Sequence, residues 1–309
     1  MAARAPGGKR VSRLWDDPVL GRLARELYRR CGLVFEGGQA HLFRRRIERR
    51  AAELGYDRVE AYIADLTGSL GEPEHEHLVE LLTVNETYFF REEEHFRALI
   101  EHLWPRWASG RQGPVRIWSA ACSNGCEPYT LAILLRERGM VGAGWPQVEI
   151  LGTDVNARVL ADAREGVYGE FALRNTPEHY RKRYFVREGH LYRLVPEVRS
   201  MVTFRRDNLV RSTPGPAPGS HHAVLCRNVL IYFDTQAKRR VVRRLVSVLR
   251  PGGVLIVGRS ESLFNVPEAP SMVNIGGVLM YQRPEEGPVT PRRPFSTRSN
   301  HGRKAVGTG

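Results

Sequence analysis

The chain is 309 residues long and 42% apolar, enough to bury the cores of two domains. No run of eighteen apolar residues occurs, which excludes a membrane-spanning helix, and four irregularly spaced cysteines exclude a disulfide framework. The net charge of +13 is uneven: residues 1–110 carry −1, 111–282 carry +10 and 283–309 carry +4, which suits an acidic partner but is equally what an arginine-rich genome composition would leave.

Residues 1–13 and 283–309 are rich in Gly, Pro, Ser and Arg and read as disordered ends. The basic start has no apolar stretch behind it, so no signal peptide is expected, and unpaired thiols suit a reducing cytoplasm. From 16 to 109 the periodicity is helical. Asp17-Pro18 reads as an N-cap with proline at the first helical position. A second helix is expected over 38–54, ended by Gly55, with Leu42, Phe43, Ile47 and Ala51 facing the core and Arg44, Arg45, Arg46, Arg49 and Arg50 facing out. Shorter helices follow at 59–65 and 74–82, then a longer one at 92–107. Beyond Gly113-Pro114 strands and helices alternate: strand 115–118, helix 129–138, strand 148–154, helix 156–165, strand 223–226, helix 235–249 and strand 254–257. That alternation implies a parallel sheet covered on both faces, with 262–264 and 277–281 as an antiparallel edge hairpin. Residues 184–194 read as a tight hairpin that, with 201–204, forms a small β insertion. The expected organisation is a helical domain at 14–90 and an α/β domain at 91–282 whose β subdomain spans 184–204.

Three loops of the α/β domain could carry chemistry. WSAACSNGCEPY at 118–129 joins the first strand to the first helix, where a ligand meets helix N–H groups. It holds one glycine, Gly125, so it is no dinucleotide fingerprint. GTD at 152–154 places Asp154 at the end of the second strand, positioned to accept hydrogen bonds from ribose hydroxyls. A glycine-poor loop with that acid suits a ligand that has a ribose but no pyrophosphate, such as S-adenosylmethionine, with Glu127 available for its ammonium; an ordinary tight turn is the alternative. CRNVLIYF at 226–233 puts Arg227 and Asn228 at the carboxyl end of a strand, where ligands bind in such sheets, or where an arginine simply pairs with a helix end. TVNETYFFR at 83–91 lies between the domains, as a site segment or a packing linker. Cys122 and Cys126 have no second pair, so no metal is expected. Glu74-His75-Glu76-His77 and His221-His222 read as exposed.

These segments, in this order, closely resemble the chemotaxis receptor methyltransferase family, the CheR type, from 14 to 281. The resemblance implies an N-terminal all-α domain and a Rossmann-like methyltransferase domain with a small antiparallel β subdomain. It implies methyl transfer from S-adenosylmethionine to glutamate side chains on the cytoplasmic helices of chemoreceptors, in a cytoplasmic and monomeric enzyme with no nucleic-acid partner. By the same resemblance Asn85, Thr87, Arg91, Glu127, Asp154, Asn208, Leu209, Arg227 and Asn228 bind the donor, and Arg91 and Tyr232 stand closest to the transfer. Asn124, Cys126 and Arg259 depart from the family's commonest residues. The short turn at 187–190 implies action without a receptor tether peptide. The arginine face at 44–50 offers acidic receptor helices a docking surface that salt should weaken. Two alternatives stay open: methylation of a nucleic acid or small molecule on the same fold, and a donor-sensing scaffold without turnover.

Overall fold

The computed structural model describes residues 14–285 except 15, 16, 36, 37, 67, 110–112 and 212–214. The expected disorder at 1–13 and from 286 onward lies outside them. Residues 283–285, expected to open the tail, are among those described; just past the last strand, the Arg283 N–H donates to Gly253 O at 2.9 Å.

Four helices open the described chain: α1 (Leu20–Cys31), α2 (Gly38–Glu53), α3 (Val59–Leu66) and α4 (Gly71–Leu82). Asp17 caps the turn before α1: its Oδ1 accepts from the Val19 and Leu20 N–H groups at 2.9 and 2.8 Å. The helix therefore starts two residues later than proline at its first position would imply. Leu23, Leu27, Phe43, Ile47, Tyr62 and Leu78 close a core of their own. Leu42, expected in that core, is 43% exposed, because Phe43, Ile47 and Ala51 already fill the one stripe that faces inward.

The arginine face of α2 is not uniform. The Arg50 guanidinium forks onto the Glu74 carboxylate at 2.8 and 2.8 Å, and the Tyr62 hydroxyl donates to the same carboxylate at 2.7 Å. Arg46 donates to Leu81 O at 2.8 Å. Glu74 and His75 are thus buried, not exposed as expected: α4 turns them onto α2 and α1, where His75 meets Glu26 at 2.9 Å.

The expected helix over 92–107 is three abutting pieces: α5 (Glu93–Ala98), a π turn (Leu99–Leu103) and α6 (Trp104–Ser109). The wider turn lets Leu99, Ile100, Leu103 and Trp104 all face inward. There follow β1 (Val115–Ala120), α7 (Cys126–Glu137), β2 (Val148–Asp154), α8 (Ala157–Glu165), β3 (Val167–Gly169), α9 (Glu178–Tyr184), β4 (Phe185–Glu188), β5 (Leu191–Leu194), α10 (Pro196–Arg199), β6 (Val202–Arg206), β7 (His221–Cys226), α11 (Thr235–Val248), β8 (Leu249–Val257), β9 (Ser271–Ile275) and β10 (Val278–Gln282). The main sheet runs β6-β2-β1-β7-β8-β10-β9, parallel through β8 and antiparallel at β10 and β9. This is the expected doubly wound architecture. The chain winds one way from β1 through β2 to β6 and the other way through β7 and β8, so the sheet's direction of growth reverses between β1 and β7.

Two expectations about strands are corrected. Residues 202–206 do not join the small β unit: β6 pairs in parallel with β2 from Ile150↔Val202 to Asp154↔Arg206. The third strand of the small sheet is β3, so that sheet runs β3-β5-β4. The edge hairpin pairs β10 with 271–275, not with 262–264, and Phe264 is 87% exposed. His221 and His222, expected exposed, lie buried in the fully covered β7.

Candidate active site

Beyond β1, the loop into α7 turns through left-handed backbone at Ala121, Ser123 and Gly125 (φ 60°, 51° and 85°). Gly125 is required there: a Cβ would stand 2.9 Å from the Phe204 ring and 3.1 Å from Ala163 Cβ. With Gly125 left-handed, α7 starts at Cys126, three residues earlier than its periodicity suggests. Gly152 on β2 is needed for the same packing, since its Cβ would meet Phe204 at 2.7 Å and Cys122 Sγ at 3.1 Å. Among the described residues, the non-glycine positions with positive φ are Phe90, Glu92, Ala121, Ser123 and Asn228. Ala121, Ser123 and Asn228 lie in the loops singled out from the sequence, Phe90 in the 83–91 segment and Glu92 just beyond it, and the surrounding fold holds this backbone strain.

These loops enclose a solvent-open cleft of about 1000 Å³. Every sequence-derived site residue lines it: Asn85, Thr87, Arg91, Glu127, Asp154, Asn208, Leu209, Arg227, Asn228 and Tyr232. Asp154 is 7% exposed; its Oδ2 accepts from the Ser123 N–H and its Oδ1 from the Asn156 N–H, each at 2.9 Å. Burial raises its carboxyl above the ordinary range, against the pull of those backbone bonds. Each oxygen keeps acceptor capacity for a ribose hydroxyl.

Arg227 is the centre of the buried end. Its side chain is 2% exposed and pairs with Glu127 at 3.1 Å and Glu92 at 3.0 Å. It also donates to Arg91 O at 2.5 Å and lies 5.0 Å from the Phe96 ring centroid. Its Nε is buried with no hydrogen-bond partner among the described residues. Glu127 accepts from Ser119 Oγ at 2.7 Å; burial raises its carboxyl, with Arg227 pulling against the shift.

At the mouth, Arg91 donates to Glu86 O at 3.1 Å and stands 5.5 Å from the Tyr88 ring centroid. Burial raises the Tyr232 phenol while the Arg91 charge opposes it, so the hydroxyl stays protonated at neutral pH and can donate. That hydroxyl makes no hydrogen bond among the described residues. In the segment 83–91, Phe89 packs edge-on against Tyr168 and Phe185 at 4.8 and 4.9 Å, while Asn85, Thr87 and Arg91 line the cleft.

Asn208 is more committed than its sequence suggested. Its amide nitrogen donates to Arg30 O at 2.7 Å and its Oδ1 accepts from the Val210 N–H at 3.0 Å, so it stitches the end of α1 to the sheet. Tyr28 OH to Asp234 at 2.8 Å and the Val34 N–H to Tyr232 O at 3.2 Å continue the seam. Asn124 and Cys126 bond to each other at 3.2 Å and do not line the cleft. Exposed Arg259 reaches Glu94.

Sequence reasoning missed Glu261. Its two oxygens accept from the N–H groups of Asn228, Gly258, Leu230 and Ile231 at 2.7, 2.8, 2.7 and 3.3 Å, which fixes the loop carrying Asn228 and Tyr232. Its signal was an acid just past the carboxyl end of the neighbouring strand. Glu92 was missed because its role depends on a left-handed backbone (φ 52°).

Residues 19–83 match the family model described as CheR methyltransferase, all-alpha domain, and residues 85–277 match CheR methyltransferase, SAM binding domain. The chain belongs to the CheR methyltransferase family. A chemotaxis protein methyltransferase of Salmonella typhimurium is 36% identical over 257 residues, covering 81% of this chain and 86% of the relative. A chemotaxis protein methyltransferase 2 of Pseudomonas aeruginosa is 38% identical over 259 residues, covering 82% and 89%. One from Escherichia coli is 34% identical over 253 residues, covering 80% and 85%. This CheR-family chain is an S-adenosylmethionine-dependent methyltransferase. The cleft fits that donor: Asp154 keeps acceptor capacity for ribose hydroxyls, and the largely buried Glu127 offers a carboxylate to an ammonium. Among the described residues no helix is long and apolar enough to cross a membrane.

Proposed function

We propose that the protein methylates glutamate side chains on the cytoplasmic helices of chemoreceptors, as a cytoplasmic enzyme with its helical domain at 14–90 and its catalytic domain at 91–282. The observation that carries this is the division of the cleft: the acids at its donor end, Glu127 and Asp154, are largely buried and already hydrogen-bonded, while Arg91 and Tyr232 stand at the mouth, where the exposed Glu86 carboxylate is paired with Arg174. A cleft whose donor-end acids are engaged and whose mouth presents a cation and a hydroxyl donor suits an acceptor that is already an anion.

A glutamate carboxylate ionises near pH 4.3 and needs no base at neutral pH. The bound donor supplies a sulfonium methyl: a carboxylate oxygen forms the new C–O bond while the S–C electron pair returns to sulfur, and no proton moves. The chain's task is positioning and exclusion of water, which in well-oriented systems is worth roughly 7–11 kcal/mol. Arg91 orients the carboxylate; Tyr232 donates a hydrogen bond that sets the approach; Asp154, Glu127, Arg227 and Asn228 hold the donor, with Asn85, Thr87, Asn208 and Leu209 closing its walls. Exposed Arg45 and Arg49 of α2 offer charge to acidic receptor helices. The β4–β5 turn is short, with Gly189 at φ 65°, which supports action without a tether peptide.

The test is transfer of labelled methyl to purified receptor cytoplasmic fragments, followed by alkali. Label released as methanol is the expected result and marks a carboxyl ester. Label on nucleic acid, or donor binding with no transfer to any fragment, would move the assignment to another acceptor or to a sensing role.

A further inference from the structure

We infer that Arg174 is a second acceptor-recognition residue, which captures a carboxylate of the protein acceptor by exchanging it for the chain's own Glu86. This rests on the carboxylate-acceptor function proposed above and extends it to a residue outside the motifs.

Arg174 follows the 3₁₀ turn Glu170–Leu173, which leads away from β3 of the small sheet. Its guanidinium carbon lies over two rings, 3.5 Å from the Tyr88 centroid and 3.7 Å from the Phe171 centroid. Nη1 donates to Phe171 O at 2.8 Å and Nη2 to Glu86 Oε1 at 3.2 Å. Phe171 is 65% exposed, so a large ring stands in solvent with this guanidinium beneath it. Two ring contacts and the bond to Phe171 O hold the guanidinium in place while Nη2 engages a carboxylate, the kind of held arginine that binds carboxylates well.

Three contacts join this group to the acceptor end of the cleft. Tyr88, stacked on Arg174, also carries Arg91 at 5.5 Å from its centroid. Glu86 holds both arginines, Arg91 through its carbonyl and Arg174 through its carboxylate. Glu86, Tyr88 and Arg91 all line the cleft. The occupant of Arg174 is therefore a glutamate side chain at the mouth of a cleft whose acceptor is a glutamate. It is also a weak occupant: the Glu86 side chain is 61% exposed, against 27% for Arg174, and exposed pairs of this kind contribute little. An incoming carboxylate meets a pre-oriented guanidinium and displaces only a solvated partner. Glu86 then acts as a placeholder that keeps the two arginines from repelling each other while the acceptor is absent.

The test is steady-state methylation of a receptor cytoplasmic fragment by wild type, Arg174→Ala, Arg174→Lys and Glu86→Gln, with S-adenosylhomocysteine affinity by calorimetry and melting temperature on each protein. Arg174→Ala is expected to raise the acceptor KM about tenfold, with a much smaller change in kcat and in product affinity, the signature of lost uniform binding. Arg174→Lys keeps the charge but loses the stacked fork, and is expected to recover less than half of that loss. Glu86→Gln removes the competitor and is expected to lower the acceptor KM two- to threefold. An unchanged KM in Arg174→Ala overturns the inference. So does a joint fall in kcat and product affinity, which would mean that Arg174 only props Tyr88 and Arg91. If wild type methylates no receptor fragment, the proposed function falls and takes this inference with it, whereas an active wild type with an unchanged KM in Arg174→Ala overturns this inference alone.

Discussion

The two ends of the cleft are built on opposite electrostatic plans. At the donor end Arg227 is sealed against Glu127, Glu92 and the Phe96 ring, with its side chain 2% exposed. At the acceptor end Arg91 holds a single carbonyl and Arg174 a solvated carboxylate. In the first place charges are compensated inside a low-dielectric wall, where an unpaired group is expensive. In the second they are half-solvated and weakly engaged, so they can change partners within each turnover. A donor that is always the same molecule allows a rigid, buried network. A protein acceptor that must dock, react and leave needs groups that are held in place but lightly bound.

The largest expected break of this contrast is Arg227→Ala. It leaves the largely buried Glu127 and Glu92, with side chains 13% and 16% exposed, without their cation, a change that costs about 3 kcal/mol, the low end for a buried pair. The melting temperature should fall, and S-adenosylhomocysteine affinity should drop on the order of a hundredfold, read by calorimetry. A variant that melts and binds like wild type would show the donor end to be as loosely held as the mouth. Arg91→Ala probes the other end. Turnover should fall at least about tenfold, the loss of one orienting charge-assisted contact. Melting should stay near wild type, because Arg91 gives up one hydrogen bond to Glu86 O. A fold that collapses in this variant would erase the difference between the ends.

Acid should act on the donor end in a definite direction. Burial raises both Asp154 and Glu127 above the ordinary carboxylate range, against their hydrogen-bond partners. A raised acid favours the protonated folded form. The free protein therefore loses stability from these groups as pH rises from the ordinary range near 4 through the raised values, and regains it on acidification. The donor's hydroxyls and ammonium require both groups ionised, so its affinity should weaken severalfold as pH falls through the raised values, while Asp154→Asn flattens the part due to Asp154. Affinity constant across that window would place both carboxyls back in the ordinary range.

How much of this was legible in the sequence follows the same contrast. The strand-loop-helix rhythm located β1, β2, β7 and β8, and with them the carboxyl-end loops, because periodicity and turn residues are local signals. The motifs brought all ten site residues to one cleft. What local signals could not carry was pairing partner. Residues 202–206 have the same apolar alternation whether they join the main or the small sheet, and only the match of β6 to β2 decides. Glu74 and His75 look solvated until α4 turns them onto Arg50 and Glu26. Glu261 and Arg174 make contacts 33 and 88 residues away in the chain, so no spacing rule finds them.

The smallest expected effect separates the arginines of α2, which look alike in sequence. Arg50 answers a carboxylate that is itself 7% exposed and shared with Tyr62, so Arg50→Ala should lower stability by roughly 1–3 kcal/mol in chemical denaturation, with the donor site intact. Arg45 and Arg49 are exposed, and the nearest acid to Arg49 is Glu53 at 3.6 Å, an exposed helical pair worth about 0.5 kcal/mol or less. The double variant Arg45→Ala/Arg49→Ala should melt like wild type and raise the acceptor KM about twofold at low salt. That increment should disappear in about 0.5 M salt, where exposed charges are screened within a few ångströms. A KM rise that persists at high salt would mean that α2 meets its partner through packing, with exposed Leu42 the first residue to change.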